Sequence, residues 1–327
     1  MTQALIDYGL FLAKTLTILL GIGLLLVGIV RARKTGHLEG DHLEVTSLND
    51  HYRELAHTLR QASTPKKVFR KSLKADRKAD KAREQASETR QRLFVIDFQG
   101  DIKATASAAL RQAITAILQE AKADDGVLIR LENAGGLVTE HGLAASQLTR
   151  LRARGIPLTV AVDKVAASGG YLMAAVADHI IAAPFAILGS IGVVAQLPNF
   201  HRVLERHGVD YELHTAGDYK RTLTLFGENT EAGREKLREQ LEETHGLFKD
   251  FILEYRPTLD LAQVATGEYW HGRQALALGL IDAIQTSDDF LLEAAATTDL
   301  YQVSYSAHKK PLERLLSSLT QAAQRLF

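Results

Sequence analysis

The sequence predicts an α/β domain with parallel strands, and the prediction rests on a repeated order of segments and on two glycine pairs. Three times from residue 93 onward, an apolar run typical of a buried strand is followed by a loop and then by helical apolar spacing. Strands that alternate with helices favour parallel pairing through crossovers. Gly135-Gly136 and Gly169-Gly170 each follow such a strand, at the end where parallel sheets bind ligands.

The elements of this domain are predicted in order along the chain. Strands are predicted at residues 93–98, 127–131, 157–162, 211–215 and 300–305. Helices are predicted at residues 104–122, 142–154, 199–208, 228–255 and 311–327. The apolar run 180–197 contains Pro184, Gly189 and Gly192, so it is predicted to form short strands or loops instead of a second membrane span.

The N-terminal segment is predicted to anchor the chain in a membrane. Residues 9–30 are apolar except for Lys14, and a bilayer-spanning helix needs about 20 mostly apolar residues. A cleaved signal peptide, the alternative, carries its positive charge before the apolar run. Here Arg31, Arg33 and Lys34 follow the run, which favours an uncleaved anchor and, by the positive-inside tendency, places the following residues in the cytoplasm.

The segment between the anchor and the domain is predicted to be a polar, then basic, linker. Its second half carries more Lys and Arg than Asp and Glu, which is typical of a solvated helix or of disorder and favours anionic lipid headgroups. Phe69 is the lone aromatic residue of that half, which argues against nucleic-acid binding by stacking. The predicted organisation is an anchor at 1–34, a linker at 35–92, a globular domain at 93–298, and a strand and amphipathic helix at 299–327.

Ser168 is the candidate nucleophile. It lies between two alanines and two glycines, so its hydroxyl is little shielded, and first-turn amides of the following helix point at anionic groups. The alternative is an ordinary helix N-cap, a role that serine fills often. Amides of the two glycine pairs are candidate oxyanion donors. Ser190 is a rival serine, but Leu188 stands where a nucleophile elbow needs glycine, so Ser190 is predicted to be structural or to contact substrate.

Lys220 is the candidate general base. It lies in a glycine-containing loop, and a lysine can take a proton from serine only when its amine is neutral, which burial favours. Beside Arg221, an exposed Lys220 is instead a solvated charge. His141, His179 and His214 are the candidate bases of an alternative serine triad. The chain has no cysteine, which excludes disulfides, thiolate metal sites and cysteine nucleophiles.

Together these motifs resemble the signal peptide peptidase A family of serine proteases, and most closely its SohB branch. The stretches that carry the resemblance are residues 132–136 (ENAGG), 163–171 (DKVAASGGY), 189–193 (GSIGV), 217–221 (GDYKR) and 272–275 (GRQA). The resemblance implies the β-α spiral of the ClpP and crotonase type. It also implies a serine-lysine dyad with Ser168 as nucleophile, Lys220 as general base, and the amides of Gly136 and Gly169 as the oxyanion hole, without metal or cofactor.

The resemblance also implies partners and a location. It implies a single-pass endopeptidase of the bacterial inner membrane that forms rings, in which neighbouring subunits can share active-site parts. Its substrates would be membrane-associated, signal-like or unfolded peptides, with no nucleic acid involved. The side of the membrane stays open, because relatives act outside the cytoplasm whereas the positive charges near the anchor favour a cytoplasmic domain.

One position departs from the family pattern, and two other functions stay open. Ala134 stands where the family commonly has proline before the paired glycines, which removes a rigid torsion, and Asn133 can compensate as a turn former. A membrane-tethered scaffold without catalysis is the first alternative. Acyl-CoA chemistry on the same fold is the second, with Glu132 and Asp163 as candidate acids.

Overall fold

The computed structural model describes residues 42–86 and 90–306, together with a helical N-terminal stretch at residues 9–12, 14–17, 19–21 and 23. Residues 43–305 form one compact unit. Much of the predicted anchor at 1–34 and all of the predicted helix at 311–327 lie outside the described residues. In the described part of the chain, no helix is both long and apolar enough to cross a membrane.

Strands and helices alternate through most of the compact unit. The strands are β1 (His42–Ser47), β2 (Arg92–Gln99), β3 (Gly126–Glu132), β4 (Leu158–Val162), β5 (Val165–Ala167), β6 (His179–Ala182), β7 (Ile187–Gly189), β8 (Tyr269–His271), β9 (Ala283–Ile284) and β10 (Asp299–Ser306). The helices are α1 (Leu48–Ser63), α2 (Lys66–Ala86), α3 (Ser107–Glu120), α4 (Val138–Ala153), α5 (Gly169–Ala175), α6 (His201–Arg206), α7 (Glu231–Tyr255), α8 (Leu261–Val264), α9 (Gly272–Ala277) and α10 (Ser287–Ala294).

The strands form two sheets. The larger has seven strands in the order β1-β10-β2-β3-β4-β6-β9, and its pairings from β10 through to β9 are parallel. The smaller has the order β5-β7-β8, with β5 parallel and β8 antiparallel to β7. These sheets confirm the predicted mixed α/β class with a large parallel sheet.

Both faces of the large sheet are buried at its central strands. In β2, Phe94, Ile96 and Phe98 join the main core beneath α3, α4, α5 and α7, whereas Val95 joins a smaller core beneath α1 and α10. Successive side chains of a strand point to opposite faces, so a strand that is covered on both faces needs apolar residues at nearly every position. This is why β2, β3 and β4 are readable in the sequence as continuous apolar runs.

The sheet extends beyond the predicted domain at both ends of the chain. β1 lies in the predicted linker, yet it forms the edge of the sheet, and β10 is inserted between β1 and β2. Helix α1 follows β1, with the Ser47 hydroxyl accepting a hydrogen bond from Asp50 N, and buries Leu48 in the smaller core. Leu43 and Val45 alternate with polar residues in β1, but this alternation covers only a few positions and the side chains of β1 are mostly exposed, so the sequence signal for a strand is weak.

Residues 193–230, which connect β7 to α7, form a long segment that we call the arm. It contains α6 and otherwise has no regular structure. The strand predicted at 211–215 is wrong, because these residues are exposed and unpaired with any strand of the described chain. Tyr211 and Leu213 supply the alternation typical of a half-buried strand, but no sheet covers either side chain.

Candidate active site

The two glycine loops interlock where β3 and β5 end. Asn133 N donates to Val165 O at 2.8 Å, and Ala167 N donates to Asn133 O at 3.0 Å, so the loop after β3 is bonded directly to β5. A Cβ atom on Gly170 would overlap the carbonyl oxygen of Asn133, and one on Gly135 would lie 2.7 Å from Ser168 Cβ. The loops can approach this closely only because both positions are glycine.

Ser168 has an uncommon backbone conformation. It connects β5 to α5 with φ 52° and ψ −121°, and its side chain makes no capping hydrogen bond to α5. Its amide donates to Gly189 O at 2.8 Å, which ties the turn to β7. A non-glycine residue held at positive φ points to a functional constraint, whereas an ordinary N-cap has extended torsions and a bonded side chain. The geometry therefore disfavours the N-cap alternative.

Two backbone amides next to Ser168 are available as donors. Gly169 is the first residue of α5, so its amide has no partner within the helix. Gly135 N donates to Asn133 Oδ1 and Leu137 N donates to Ile102 O, whereas Gly136 N between them has no hydrogen-bond partner in the described chain. Gly136, Gly169 and Ser168 line the same cavity.

The cavity beside Ser168 is apolar. Its volume is about 280 Å³, and its walls come from α4, α5, α7 and the start of the arm. The apolar side chains that line it are Val138, Leu172, Val193, Leu247, Phe248 and Phe251. His141 is the single titratable side chain in the lining. Such a cavity suits an apolar side chain placed next to the serine hydroxyl.

The three histidines proposed as triad bases are not positioned for that role. His141 is fully buried, and its ring nitrogens lie 3.0 Å from Leu137 O and 3.2 Å from Asn133 Oδ1, so both already have other partners than Ser168. His179 lies 3.8 Å from Asp282, and His214 lies on the arm 3.3 Å from Glu212. Neither of these two side chains lines the cavity.

Lys220 and Ser190 are both outside this cavity. Lys220 is exposed on the arm, where its amide donates to Gly217 O at 3.2 Å. Ser190 follows Gly189 and has a φ of 49°, and its amide donates to Glu268 O at 2.6 Å. The structure therefore brings together Ser168, Gly136 and Gly169, and it leaves Lys220 outside the cavity of its own chain.

The acidic residues considered for acyl-CoA chemistry lie in a different cleft. Glu132 pairs with Lys164 at 2.9 Å, and Asp163 accepts hydrogen bonds from the amide and hydroxyl of Ser287. Their cleft of about 330 Å³ does not include Ser168. Both carboxylates are bonded to other residues and neither lines the cavity beside Ser168, so the geometry does not support acyl-CoA chemistry.

Several residues that build the site were missed by the sequence reasoning. Ile102 supports the loop through its carbonyl, and Gly100 leaves room for the Asn133 side chain. Neither position carries a local signal, because each acts through a partner about 30 residues away in the chain. Phe248 and Phe251 belong to the apolar stripe of α7, which predicted that the helix packs over the domain but not that it walls a cavity.

Family models match nearly the whole chain. The model described as peptidase family S49 N-terminal matches residues 3–148, and the one described as peptidase family S49 matches residues 150–301. The chain belongs to peptidase family S49. This membership supports a peptidase, and it agrees with the resemblance found in the motifs.

Individual S49 relatives align along most of their length. A probable protease SohB of Haemophilus influenzae is 46% identical, with 96% of this chain and 92% of that protein covered. A probable protease SohB of Buchnera aphidicola is also 46% identical, with 97% and 94% covered. A solved membrane-bound stomatin-specific protease, 1510-N, covers 71% of this chain and 99% of its own, with 13% identity and a TM-score of 0.42. The last likeness is too distant to inform on the site.

Proposed function

We propose that this chain is a serine endopeptidase with a serine-lysine dyad, on a fold of the ClpP and crotonase type. Neutral Lys220 takes the proton of Ser168 Oγ, which attacks the peptide carbonyl, and the amides of Gly136 and Gly169 hold the oxyanion. The lysine proton then goes to the leaving amine, and water releases the acyl-enzyme. The observation that carries the proposal is Ser168 at positive φ beside two glycine amides that have no hydrogen-bond partner within the described residues.

Lys220 reaches Ser168, in this proposal, from the arm of a second copy of the chain. Lys220 is exposed, and the arm also exposes many apolar side chains: Val194, Leu197, Phe200, Val203, Val209, Tyr211, Leu213, Tyr219, Leu225 and Phe226. An apolar surface of this extent marks an interaction site. Docking of the arm would bury the lysine and favour the neutral amine that the dyad requires. Homo-oligomers are therefore part of the proposed function.

The proposed substrates are peptides with an apolar residue at the cleavage point. The cavity next to Ser168 is walled mainly by aliphatic and aromatic side chains, and no acidic or basic residue other than His141 lines it. A charged substrate side chain would lose its hydration there without gaining a partner. Membrane-associated, signal-like or unfolded segments expose such apolar residues.

The proposed location is the bacterial inner membrane. The support is the apolar segment 9–30, the cations Arg31, Arg33 and Lys34 that follow it, and the basic composition of α2. These charges favour a cytoplasmic domain. A reporter fused to the C-terminus and active on one side of the membrane only would test this, and activity on the outer side would contradict it.

The alternative function is a membrane-tethered scaffold without catalysis. One observation favours it, namely that Lys220 is exposed and lies outside the cavity of its own chain. The proposed peptidase differs from the scaffold in what Ser168 does, so an experiment on that hydroxyl separates the two functions.

The test uses the full chain in detergent or lipid nanodiscs. A fluorophosphonate probe should label wild type at Ser168, and peptides with leucine at the cleavage point should be hydrolysed. Ser168→Ala and Lys220→Ala should abolish hydrolysis, whereas Arg221→Ala, which removes the neighbouring exposed cation, should not. An unlabelled, inactive wild-type protein would establish the scaffold. Hydrolysis by Lys220→Ala would remove the lysine from the mechanism.

A further inference from the structure

The loop that carries the proposed oxyanion donor Gly136 is shaped by one side chain. We call residues 133–137 the oxyanion loop. Asn133 begins it and is 1% exposed, and its Oδ1 accepts a hydrogen bond of 2.9 Å from Gly135 N, one residue before Gly136. Gly135 is thereby held at φ 89°. An asparagine that bonds the amide two residues further on is a common way to fix a turn.

Gly100 leaves the space that the Asn133 side chain fills. A Cβ atom on Gly100 would overlap Asn133 Cγ and Oδ1 and would lie 2.7 Å from Nδ2. Gly100 N donates to Glu132 O at 2.9 Å, so the Gly100 backbone that contacts the Asn133 side chain is fixed to the end of β3. Any side chain at this position must push Asn133 out of place.

The ring of His141 is the second contact of the Asn133 side-chain amide. Its Nε2 lies 3.2 Å from Asn133 Oδ1, and Gly135 N–H donates to that atom, which identifies it as the oxygen. The ring donates to Oδ1 whenever Nε2 carries hydrogen, which holds for one neutral tautomer and for the imidazolium. A Cβ atom on Gly169 would lie 2.5 Å from His141 Cγ, so the ring also packs against the residue that supplies the second donor amide.

We propose that Asn133 is a positioning residue for the oxyanion loop, held between Gly100 and His141, and that this clamp sets the direction of the Gly136 amide. This inference rests on the proposed function, because it concerns an amide that acts on the oxyanion. The hydrogen bond to an oxyanion strengthens in the transition state, so a misdirected amide lowers kcat and leaves KM nearly unchanged. A clamp that served stability alone would not separate the two constants.

The experiment displaces Asn133 from its two sides separately in the full chain. Gly100→Ala pushes the amide from one side, and His141→Phe removes the ring donor on the other. Each should lower kcat for an apolar peptide by about 10- to 100-fold. Gly100 does not line the cavity, so Gly100→Ala should change KM by less than about twofold, whereas His141→Phe alters a cavity wall and is judged on kcat. His141→Gln, which keeps a side-chain N–H, should retain more of the wild-type kcat than His141→Phe. If His141→Phe does not fold, Gly100→Ala carries the test.

Two control variants measure the effect of a structural change elsewhere. Tyr171 lies on α5, and Tyr171→Phe removes the buried hydrogen bond of 2.9 Å that its hydroxyl donates to Leu280 O. Gly246→Ala adds a methyl group where the described chain has nothing within 4 Å. Thermal melting should show a lower Tm for Tyr171→Phe, with kcat unchanged in both controls.

The outcomes separate this inference from the proposed function. Folded Gly100→Ala and His141→Phe proteins with wild-type kcat would overturn the clamp, and so would parallel changes of kcat, KM and Tm. A wild-type protein that the fluorophosphonate probe does not label at Ser168 would overturn the proposed function and the clamp with it. The result we expect is a loss of kcat in both variants, an unchanged KM in Gly100→Ala, and labelling of Ser168 by the probe in the wild type.

Discussion

The Ser168 region and the Lys220 region of this chain are built in opposite ways. Around Ser168, the two glycine loops are bonded to each other and to β7, and a Cβ atom on Gly135 or Gly170 would clash. Around Lys220, the arm is exposed, and many of its apolar side chains keep a large exposed fraction in the described chain. In the proposed mechanism, one chain would hold the nucleophile and the oxyanion donors, whereas the position of the base would depend on where the arm docks.

The arm nevertheless has a defined internal structure. Asn199 Nδ2 donates to Thr224 O and Gly227 O, and Phe200 N donates to Leu225 O at 2.7 Å. The Phe226 ring lies 6.1 Å from the ring of Phe200 and 5.9 Å from that of Tyr211. These contacts join the two ends of the arm to each other. An arm that is already ordered would lose little conformational entropy on docking.

The largest expected effect is a loss of activity without a loss of stability, when either the serine or the lysine is removed. Ser168→Ala and Lys220→Ala should each lower kcat/KM by about 10⁴-fold or more, because a nucleophile and its base act as one unit. Lys220 is exposed in the single chain, so its removal should shift the free energy of unfolding of the dissociated chain by less than about 0.5 kcal/mol. Peptide hydrolysis and urea denaturation measure the two effects, and a strongly destabilised Lys220→Ala protein would contradict the exposed arm.

Glycine substitutions should separate the regions by stability. Gly170→Ala would drive a methyl group into the Asn133 carbonyl and should destabilise the fold by about 3 kcal/mol or more. Gly208→Ala, its control on the arm, has open space and a φ of 66°, so it should cost about 1 kcal/mol of backbone strain. Equal losses in urea denaturation would show that the glycine loops are less tightly packed than described.

Acid should weaken the sheet before it affects the arm. Burial raises the pKa of Asp125, but hydrogen bonds from Arg92 and from Lys122 N outweigh it and hold the pKa below its ordinary value. The pair therefore contributes stability above the unfolded pKa of about 3.9, which is lost as pH falls through the lower folded pKa. Asp125→Asn should lower the free energy of unfolding by about 2 to 3 kcal/mol at pH 7. In this variant the free energy of unfolding should also fall less steeply as the pH becomes acidic.

The matched change on the arm concerns an exposed pair. Glu212 lies 3.3 Å from His214, and both side chains are more than three-quarters exposed. Glu212→Gln should leave the urea midpoint at pH 7 and its decline in acid unchanged, because exposed pairs contribute little. If the loss of stability in acid changed in Glu212→Gln and not in Asp125→Asn, the arm and not the sheet would be the acid-sensitive region.

The smallest effect concerns the apolar surface of the arm. Val194 is 78% exposed, so Val194→Asp should leave the folded chain as stable as wild type. If the arm docks on a neighbour, the buried carboxylate should weaken assembly and lower activity by about tenfold at a fixed protein concentration. Sedimentation and hydrolysis measured together test this, and unchanged assembly with unchanged activity would place Val194 outside the interface.

The sequence predicts the parts of the fold and site whose signals are local. β2, β3 and β4 are continuous apolar runs, and the glycine pairs mark the loops that the structure brings together. The edge strand β1 gives only a weak signal, because the alternation of Leu43 and Val45 with polar residues is short and neither apolar side chain is buried. The clamp of Gly100 and His141 on Asn133 is not predictable either, since it depends on contacts between loops that only the folded sheet brings together.

The position of Lys220 is the remaining part that the sequence leaves open. The motif around it resembles that of a dyad base, but the mechanism needs a lysine buried at Ser168, and the described chain leaves it exposed. Burial between copies of a chain would depend on surfaces that come from distant segments, which in the proposed assembly are the arm and the cavity walled by α7. No local pattern encodes that match.

Mixing two inactive variants tests the central claim most directly. Ser168→Ala keeps Lys220, and Lys220→Ala keeps Ser168, so oligomers that exchange subunits can combine the two groups across an interface. If the arm acts on a neighbouring copy, an equal mixture should recover about one quarter of wild-type activity, because half of the chains carry the serine and half of their neighbours carry the lysine. No recovery from variants that assemble and exchange would mean that Lys220 acts within its own chain, contradicting the account.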